Sequence, residues 1–242
     1  MRTHGGRNLY FVYSPKLNSM SEPSWQIRTG DFFPLFMKRN SSPRSTYSTA
    51  LVAQGAPGLA RLLRGPTALF ACYTAGAALP CRCAPGDNLA LHRAIVQAQP
   101  GTVIVCEARG DKKVASFGEL MALECLRRRI AGVVIYGAVR DAVTIERIGF
   151  PVFCMSLSPL SPVKTRAGVV GKPITVGGVR IAPGDQIIAD RDGVLLVPVA
   201  RWPDAVAAIA HAEARERDTR RRMLAGESLS EIIGLSLEES PE

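Results

Sequence analysis

AGVVIYGAVRDAVTIERIGFPVFCM, Ala131 to Met155, decides the fold of this chain. It begins with an apolar run, Ala131–Ala138, rich in β-branched residues. Such a run reads as a strand buried on both faces. The run ends on two adjacent opposite charges, Arg140 and Asp141, and Gly137 is expected to let the chain turn tightly there. "DAVTIERIG" follows as a short helix and "FPVFCM" as a second buried strand. A strand, a helix and a strand joined by such short connections imply a parallel crossover.

Upstream, the same unit repeats. "PGDNLALHRAIVQAQPG" (85–101) reads as a helix capped by Asp87, with Leu91 and Ile95 on one face and Pro100-Gly101 as its stop. "TVIVCEA" (102–108) is another β-branched strand, and "RGDKKVAS" (109–116) a polar loop. "FGELMALECLRRR" (117–129) is a second helix, with Glu119 in its first turn and three arginines at its end, where both signs suit the helix dipole. Downstream the period changes. "ITVGGVRIAPGDQIIADRDGVLLVPV" (174–199) alternates between strands and the turn signals Gly178, Pro183-Gly184-Asp185 and Asp192-Gly193, so "DRDG" reads as a hairpin. A long helix, "PDAVAAIAHAEARERDTRRRMLAG" (203–226), follows, with Pro203 near its first turn and Gly226 at its end.

The flanks are less regular. Residues 46–80 are apolar and broken by Gly and Pro, compatible with a short helix and a strand whose places the pattern does not fix. Residues 1–45 mix Ser, Asn, Pro and Arg without a period and read as a disordered or atypical extension, and residues 229–242 as a loosely packed tail. Between them, 46–228 reads as a single α/β domain. The formal net charge is +9, and in the first fifty residues Arg2, Arg7, Lys16, Arg28, Lys38, Arg39 and Arg44 face only Glu22 and Asp31. Basic tails attract nucleic acid or anionic surfaces. Here the charge is read as that of an extension, with no nucleic-acid or membrane partner expected.

With 242 residues, 47% hydrophobic and 21% charged, the composition is that of an ordinary globular protein. No apolar run reaches the ~18 residues of a membrane span. No leader pattern is present either, so a cytoplasmic location is expected. The six cysteines sit mostly in apolar runs such as "VIVCEA" and read as buried thiols. Cys81-x-Cys83 puts two of them on one strand face, but no second pair completes a metal motif.

In an open parallel sheet, ligands bind beyond the C-terminal strand ends. Two segments reach that edge: Phe117-Gly118-Glu119-Leu120-Met121 at a helix start, and Val139-Arg140-Asp141. A helix start offers unpaired N–H groups and the positive end of a dipole, and Gly118 permits close approach of a ligand. Arg140 supplies a planar fork matched to a carboxylate. Asp141 is a hard oxygen ligand suited to Mg2+ or Mn2+, and Glu119 a carboxylate able to act as an outer-sphere ligand or as a base through water. Arg140 and Asp141 are expected to diverge, one toward a substrate carboxylate and one toward a metal. Together these groups would hold a 2-oxo acid. The plainer reading is a solvated Arg–Asp pair of little energetic weight. His92 reads as a packing or surface residue, and Asp190 and Asp192 as turn formers.

"PGDNLALHRAI", "FGELMA", "AGVVIYGAVRD", "GFPVF", "GGVRIAPGDQIIADRDGVLLVP" and the Glu/Arg-rich last helix follow one another in an order that resembles the RraA-like family, over roughly residues 76–228. That family includes class II 4-hydroxy-4-methyl-2-oxoglutarate and 4-carboxy-4-hydroxy-2-oxoadipate aldolases and the regulator of ribonuclease activity A. The resemblance implies a layered α/β sandwich like the swivelling phosphohistidine domain, with a parallel βαβ core, C-terminal hairpins and a long last helix. It implies a homotrimer or a dimer of trimers, a divalent metal (Mg2+ or Mn2+), retro-aldol release of pyruvate and oxaloacetate decarboxylation as a side reaction. By position, the Gly118–Met121 backbone and Arg140 would bind the substrate carboxylate, and Asp141 would ligate the metal. Glu119 stands where the aldolases carry an aspartate that activates water. Glu216 of a neighbouring subunit would approach the metal's waters, and Lys164 would border the site. A non-catalytic regulator that binds a ribonuclease or another protein is the alternative. A methyltransferase reading is set aside, because no Gly-rich loop follows an early strand to hold an adenosyl cofactor.

Overall fold

The computed structural model describes residues 47–108 and 113–235. The expected extension, residues 1–45, and the last seven residues of the expected tail lie outside the described residues. Those from 47 onward belong to one compact unit. In chain order the elements are α1 (Thr49–Gly55), β1 (Arg61–Leu62), β2 (Thr67–Ala68), β3 (Thr74–Cys83), α2 (Leu89–Gln97), β4 (Val103–Ala108), β5 (Ala115–Phe117), α3 (Glu119–Arg127), β6 (Gly132–Val139), α4 (Ala142–Ile148), β7 (Val152–Leu157), β8 (Val169–Val170), β9 (Ile174–Val176), β10 (Val179–Ile181), β11 (Gln186–Asp190), β12 (Gly193–Val197), α5 (Trp202–Leu224) and α6 (Leu229–Ile233).

The main sheet runs β1-β12-β11-β3-β4-β6-β7-β2, with β5 added to β6 and β8 to β3. β3/β4, β4/β6 and β6/β7 are parallel, as the crossover pattern requires. β3 joins two halves. Thr74–Ala77 pair antiparallel with β11, and Ala78–Cys83 pair parallel with β4. The result is a mixed α/β fold with parallel and antiparallel pairing and a long C-terminal helix.

Each sheet face buries its own core. Leu91, Ile95, Met121, Cys125 and Ile145 from α2, α3 and α4 pack on Cys81, Cys106, Ile135 and Phe150. On the other face, Ile174, Val176 and Ile181 of the β9–β10 hairpin cover Val103, Val105, Val134 and Phe153. A third cluster seats α1 and α5 on β11–β12 through Val52, Ile209, Ala212, Ile188 and Leu195. Each fully buried aliphatic side chain contributes on the order of 2 kcal/mol.

Several local expectations change. Gly137 is not a turn: β6 continues to Val139, and a Cβ at position 137 would lie 2.7 Å from the Ala108 Cβ, so glycine is there for close strand packing. Asn88, not Asp87, takes the N-cap position of α2, while Asp87 Oδ1 still accepts the Leu89 N–H at 2.8 Å. The tail contains the short helix α6, fixed by a Ser228–Glu231 capping box. Asp190 forms its hairpin turn and also accepts the backbone N–H and hydroxyl of Thr49, fastening α1 to the sheet.

Candidate functional site

The polar loop before α3 hides the element that builds the site. β5 pairs in parallel with the end of β6, Ala115 opposite Ala138 and Phe117 opposite Val139. The Arg140 N–H then donates to the Phe117 carbonyl at 3.0 Å. This pairing carries Gly118-Glu119 to the side of Arg140-Asp141, so the two segments named from the sequence do meet.

Asp141 has left-handed backbone angles, φ 60° and ψ 33°, at the N-cap position of α4. Aspartate adopts that conformation more readily than most residues. The turn does not cap its own helix; Asp141 Oδ2 instead accepts the Glu119 N–H at 3.1 Å. Gly118 has extended angles open to any residue, φ −158°, but a Cβ there would lie 2.7 Å from Asp141 Oδ2 and 3.0 Å from Arg140 Nε. The glycine is required by space and not by backbone strain. Met121 is buried, Glu119 half-buried and the Leu120 side chain exposed. Glu119 gives its N–H to Asp141 and Met121 gives its own to Gly118 O, which leaves the Leu120 N–H as the donor that the first helical turn does not pair.

The expected divergence of Arg140 and Asp141 is only half present. Arg140 Nε lies 3.5 Å from Asp141 Oδ2, so the two are in contact, while Nη1 donates to Ser161 Oγ at 2.5 Å. Both side chains are more than one-third exposed, and a pair in that setting contributes little stability.

Ser161 lies on a strap, Ser158–Arg166, that sequence reasoning missed. The strap is tied at Ser158 N–H to Val139 O, at Leu160 O to Ala115 N–H, and at Val163 to Gly86 and Asn88. Asp87 Oδ2 takes the N–H groups of Thr165 and Arg166 and the Thr165 hydroxyl. Burial pushes the Asp87 carboxyl upward, but the donors from Leu89, Thr165 and Arg166 outweigh it and hold the pKa at about 2. No sequence signal links these residues; only the Asp-Asn pair at a helix start hints that position 87 is structural.

For a divalent cation, Asp141 offers a half-exposed carboxylate whose Oδ1 has no hydrogen-bond partner among the described residues. No cluster of three His, Cys, Asp or Glu side chains converges among those residues. This donor set fits a hydrated Mg2+- or Mn2+-type ion and not a closed zinc cage. Glu216 lies on α5, which packs against β11 and β12, three and four places along the sheet from β6, and is not brought to Asp141 within one chain. Lys164 lies close enough to His92 for its charge to act there: burial first, then that charge, holds the imidazole pKa low. His92 is half-buried with Nε2 unpartnered. A surface groove of about 480 Å3 lies elsewhere, between Cys72-Tyr73 and Asp190-Arg191-Asp192.

A model of the RraA-like family (Aldolase/RraA) matches residues 53–196. A protein of Halalkalibacterium halodurans named "Putative 4-hydroxy-4-methyl-2-oxoglutarate aldolase" is 38% identical over 146 residues, 59% of this chain and 70% of that one. A Geobacillus kaustophilus structure described as an S-adenosylmethionine:2-dimethylmenaquinone methyltransferase superposes with a TM-score of 0.60 at 26% identity, covering 63% of this chain and 95% of that one. The RNA-processing inhibitor RraA of Thermus thermophilis superposes with a TM-score of 0.58 at 26% identity, covering 63% and 93%. No helix among the described residues is long and apolar enough to cross a membrane.

Proposed function

The chain belongs to the RraA-like family, and on that premise we propose that it is a divalent-metal-dependent aldolase, a carbon–carbon lyase. It cleaves 4-hydroxy-2-oxo diacids, such as 4-hydroxy-4-methyl-2-oxoglutarate, to release pyruvate, and decarboxylates oxaloacetate as a side activity. The observation that carries this reading is the convergence of a guanidinium fork, a half-exposed carboxylate and a helix start at Gly118, whose missing side chain lets Asp141 and Arg140 pack against its backbone.

In this reading, Arg140 and the Leu120 N–H grip the carboxylate next to the 2-oxo group. Asp141 would hold a magnesium or manganese ion, which when bound supplies Lewis-acid polarisation of the 2-oxo oxygen. Glu119, acting through water, takes the proton of the C4 hydroxyl. As the C4 carbonyl forms, the C3–C4 bond breaks and its electron pair passes to C3, where it is delocalised as the enolate of pyruvate. Return of a proton to C3 completes pyruvate, and C4 leaves as the carbonyl of the second product. Glutamate at 119 carries its carboxylate about one methylene further than aspartate would, so the longer side chain resets where that water stands. Glu216 from a second copy would stand beside the bound ion in a homotrimer or hexamer. The single α/β domain is of the swivelling phosphohistidine type, and its location is cytoplasmic.

The test is pyruvate release from a panel of 4-hydroxy-2-oxo diacids with added Mg2+ or Mn2+. Folded protein that releases none from any of them would sink the aldolase reading. The likeness to an RNA-processing inhibitor supports a second reading, a non-catalytic regulator that binds a ribonuclease or another protein. That reading gains if no diacid is cleaved and a ribonuclease is slowed.

A further inference from the structure

Arg140 is held from outside its own strand. Its Nη1 donates to Ser161 Oγ, its Nε faces Asp141 Oδ2, and Nη2 has no partner among the described residues. An arginine side chain free in solvent loses rotamer entropy when fixed, so a fork pinned in advance binds a carboxylate more tightly.

Ser161 is itself fixed although its side chain is exposed. Pro159 and Pro162 flank Leu160-Ser161, and a residue before proline is restricted to extended angles. On one side the strap is anchored by Ser158 to Val139 and by Leu160 to Ala115. On the other, Val163 exchanges bonds with Gly86 and Asn88, and Asp87 clamps Thr165 and Arg166. Val139 and Ala115 belong to the same strand pair that delivers Arg140 and Gly118. The strap and the fork are therefore registered to one another by shared backbone bonds.

From this we propose that Ser161 is a positioning residue for Arg140, holding the guanidinium so that its free Nη2 faces an incoming carboxylate. The inference rests on the aldolase site described above, and is stated for the chemistry of a 2-oxo acid carboxylate.

The experiment compares wild type, Ser161→Ala and Ser161→Thr in two assays, both with Mg2+: steady-state cleavage of a 4-hydroxy-2-oxo diacid, and calorimetric binding of pyruvate. Ser161→Ala should raise KM and the pyruvate Kd about tenfold while kcat stays within about twofold, because one charge-assisted hydrogen bond is lost. Ser161→Thr, which keeps the hydroxyl, should restore both. An unchanged KM and Kd in Ser161→Ala, or a fall in kcat alone, overturns the role. Wild type that binds pyruvate without cleaving any diacid sinks the aldolase reading, and Ser161 is then judged on Kd alone. Wild type that neither binds nor cleaves overturns both.

Discussion

Asp141 accepts the backbone N–H of Glu119 at 3.1 Å although 22 positions separate the two residues. One carboxylate oxygen thus fixes the start of α3, and the other has no hydrogen-bond partner among the described residues. Asp141→Asn keeps an acceptor for Glu119 and tolerates the left-handed backbone, so the fold should survive. Metal-dependent pyruvate release should fall at least ~100-fold, since a neutral amide is a poor ligand for a hard cation. Asp141→Ala should lose activity to the same degree and also lose ~1–2 kcal/mol of stability to the strained backbone. Turnover and chemical denaturation read the two effects separately, and equal stability losses in both variants would contradict the backbone argument.

Gly118→Ala asks whether the close approach of Arg140 and Asp141 to the backbone at position 118 matters. The added Cβ would press on Asp141 Oδ2 and Arg140 and not on the backbone. The side chains can move away, at a cost of ~1 kcal/mol or less. Turnover should drop by about two orders of magnitude while the melting temperature moves by only a few degrees. Retained wild-type kcat/KM would show that this placement of Arg140 and Asp141 is not used in turnover.

Arg140→Lys keeps the charge and loses the fork. It also loses the Nε and Nη1 contacts to Asp141 and Ser161. The KM for a 2-oxo diacid should rise ~10-fold or more, with the stability unchanged within ~0.5 kcal/mol. A lysine variant with wild-type KM would mean that no bidentate grip is used.

Asp87 makes stability depend on acid pH. Its folded pKa of about 2 lies below the ordinary value of 3.8, so its contribution is fully present above about pH 4 and is lost as pH falls toward 2. Asp87→Ala leaves the donors of Leu89, Thr165 and Arg166 without their carboxylate acceptor and should cost ~1–3 kcal/mol near neutrality. Urea titrations at pH 6, 4 and 2.5 should show the gap between wild type and variant closing at the lowest pH. A constant gap would refute the assignment.

The thiols of Cys83, Cys106, Cys125 and Cys154 are buried. The neighbouring Cys106 thiol and burial raise Cys83, and burial alone leads the rise at Cys125 and Cys154, the latter to about 11. Native protein at pH 8 should therefore alkylate at these positions at least ~100-fold more slowly than unfolded chain, by mass spectrometry. Rapid native labelling of Cys83 would argue against the packed β3–β4 face.

The sequence made β6 and its terminal charges plain because Val133, Val134 and Ile135 form a β-branched run that only a buried strand explains. β3 was hidden: Ala, Gly and Pro in "TAGAALPCRC" carry little strand preference, and its state is set by partners far away in sequence, β4 and β11. β5 lies where the sequence reads as a polar loop, because three residues make no period; it is a strand through its pairing with Ala138 and Val139. Gly118, Glu119, Arg140 and Asp141 were legible as a group by residue type. Ser161 and the Asp87 clamp were not, since hydrogen bonds across 21 and 78 positions leave no spacing to detect.

The divided pairing of β3 also orders events in time. Thr74–Ala77 emerge from the ribosome more than a hundred residues before Gln186–Ala189, their antiparallel partners. Throughout that interval the leading half of β3 is a bare sheet edge, open to any extended segment that meets it. Closure of the sheet is a late step set by long-range search, and nascent chains halted before residue 186 should be the ones that aggregate.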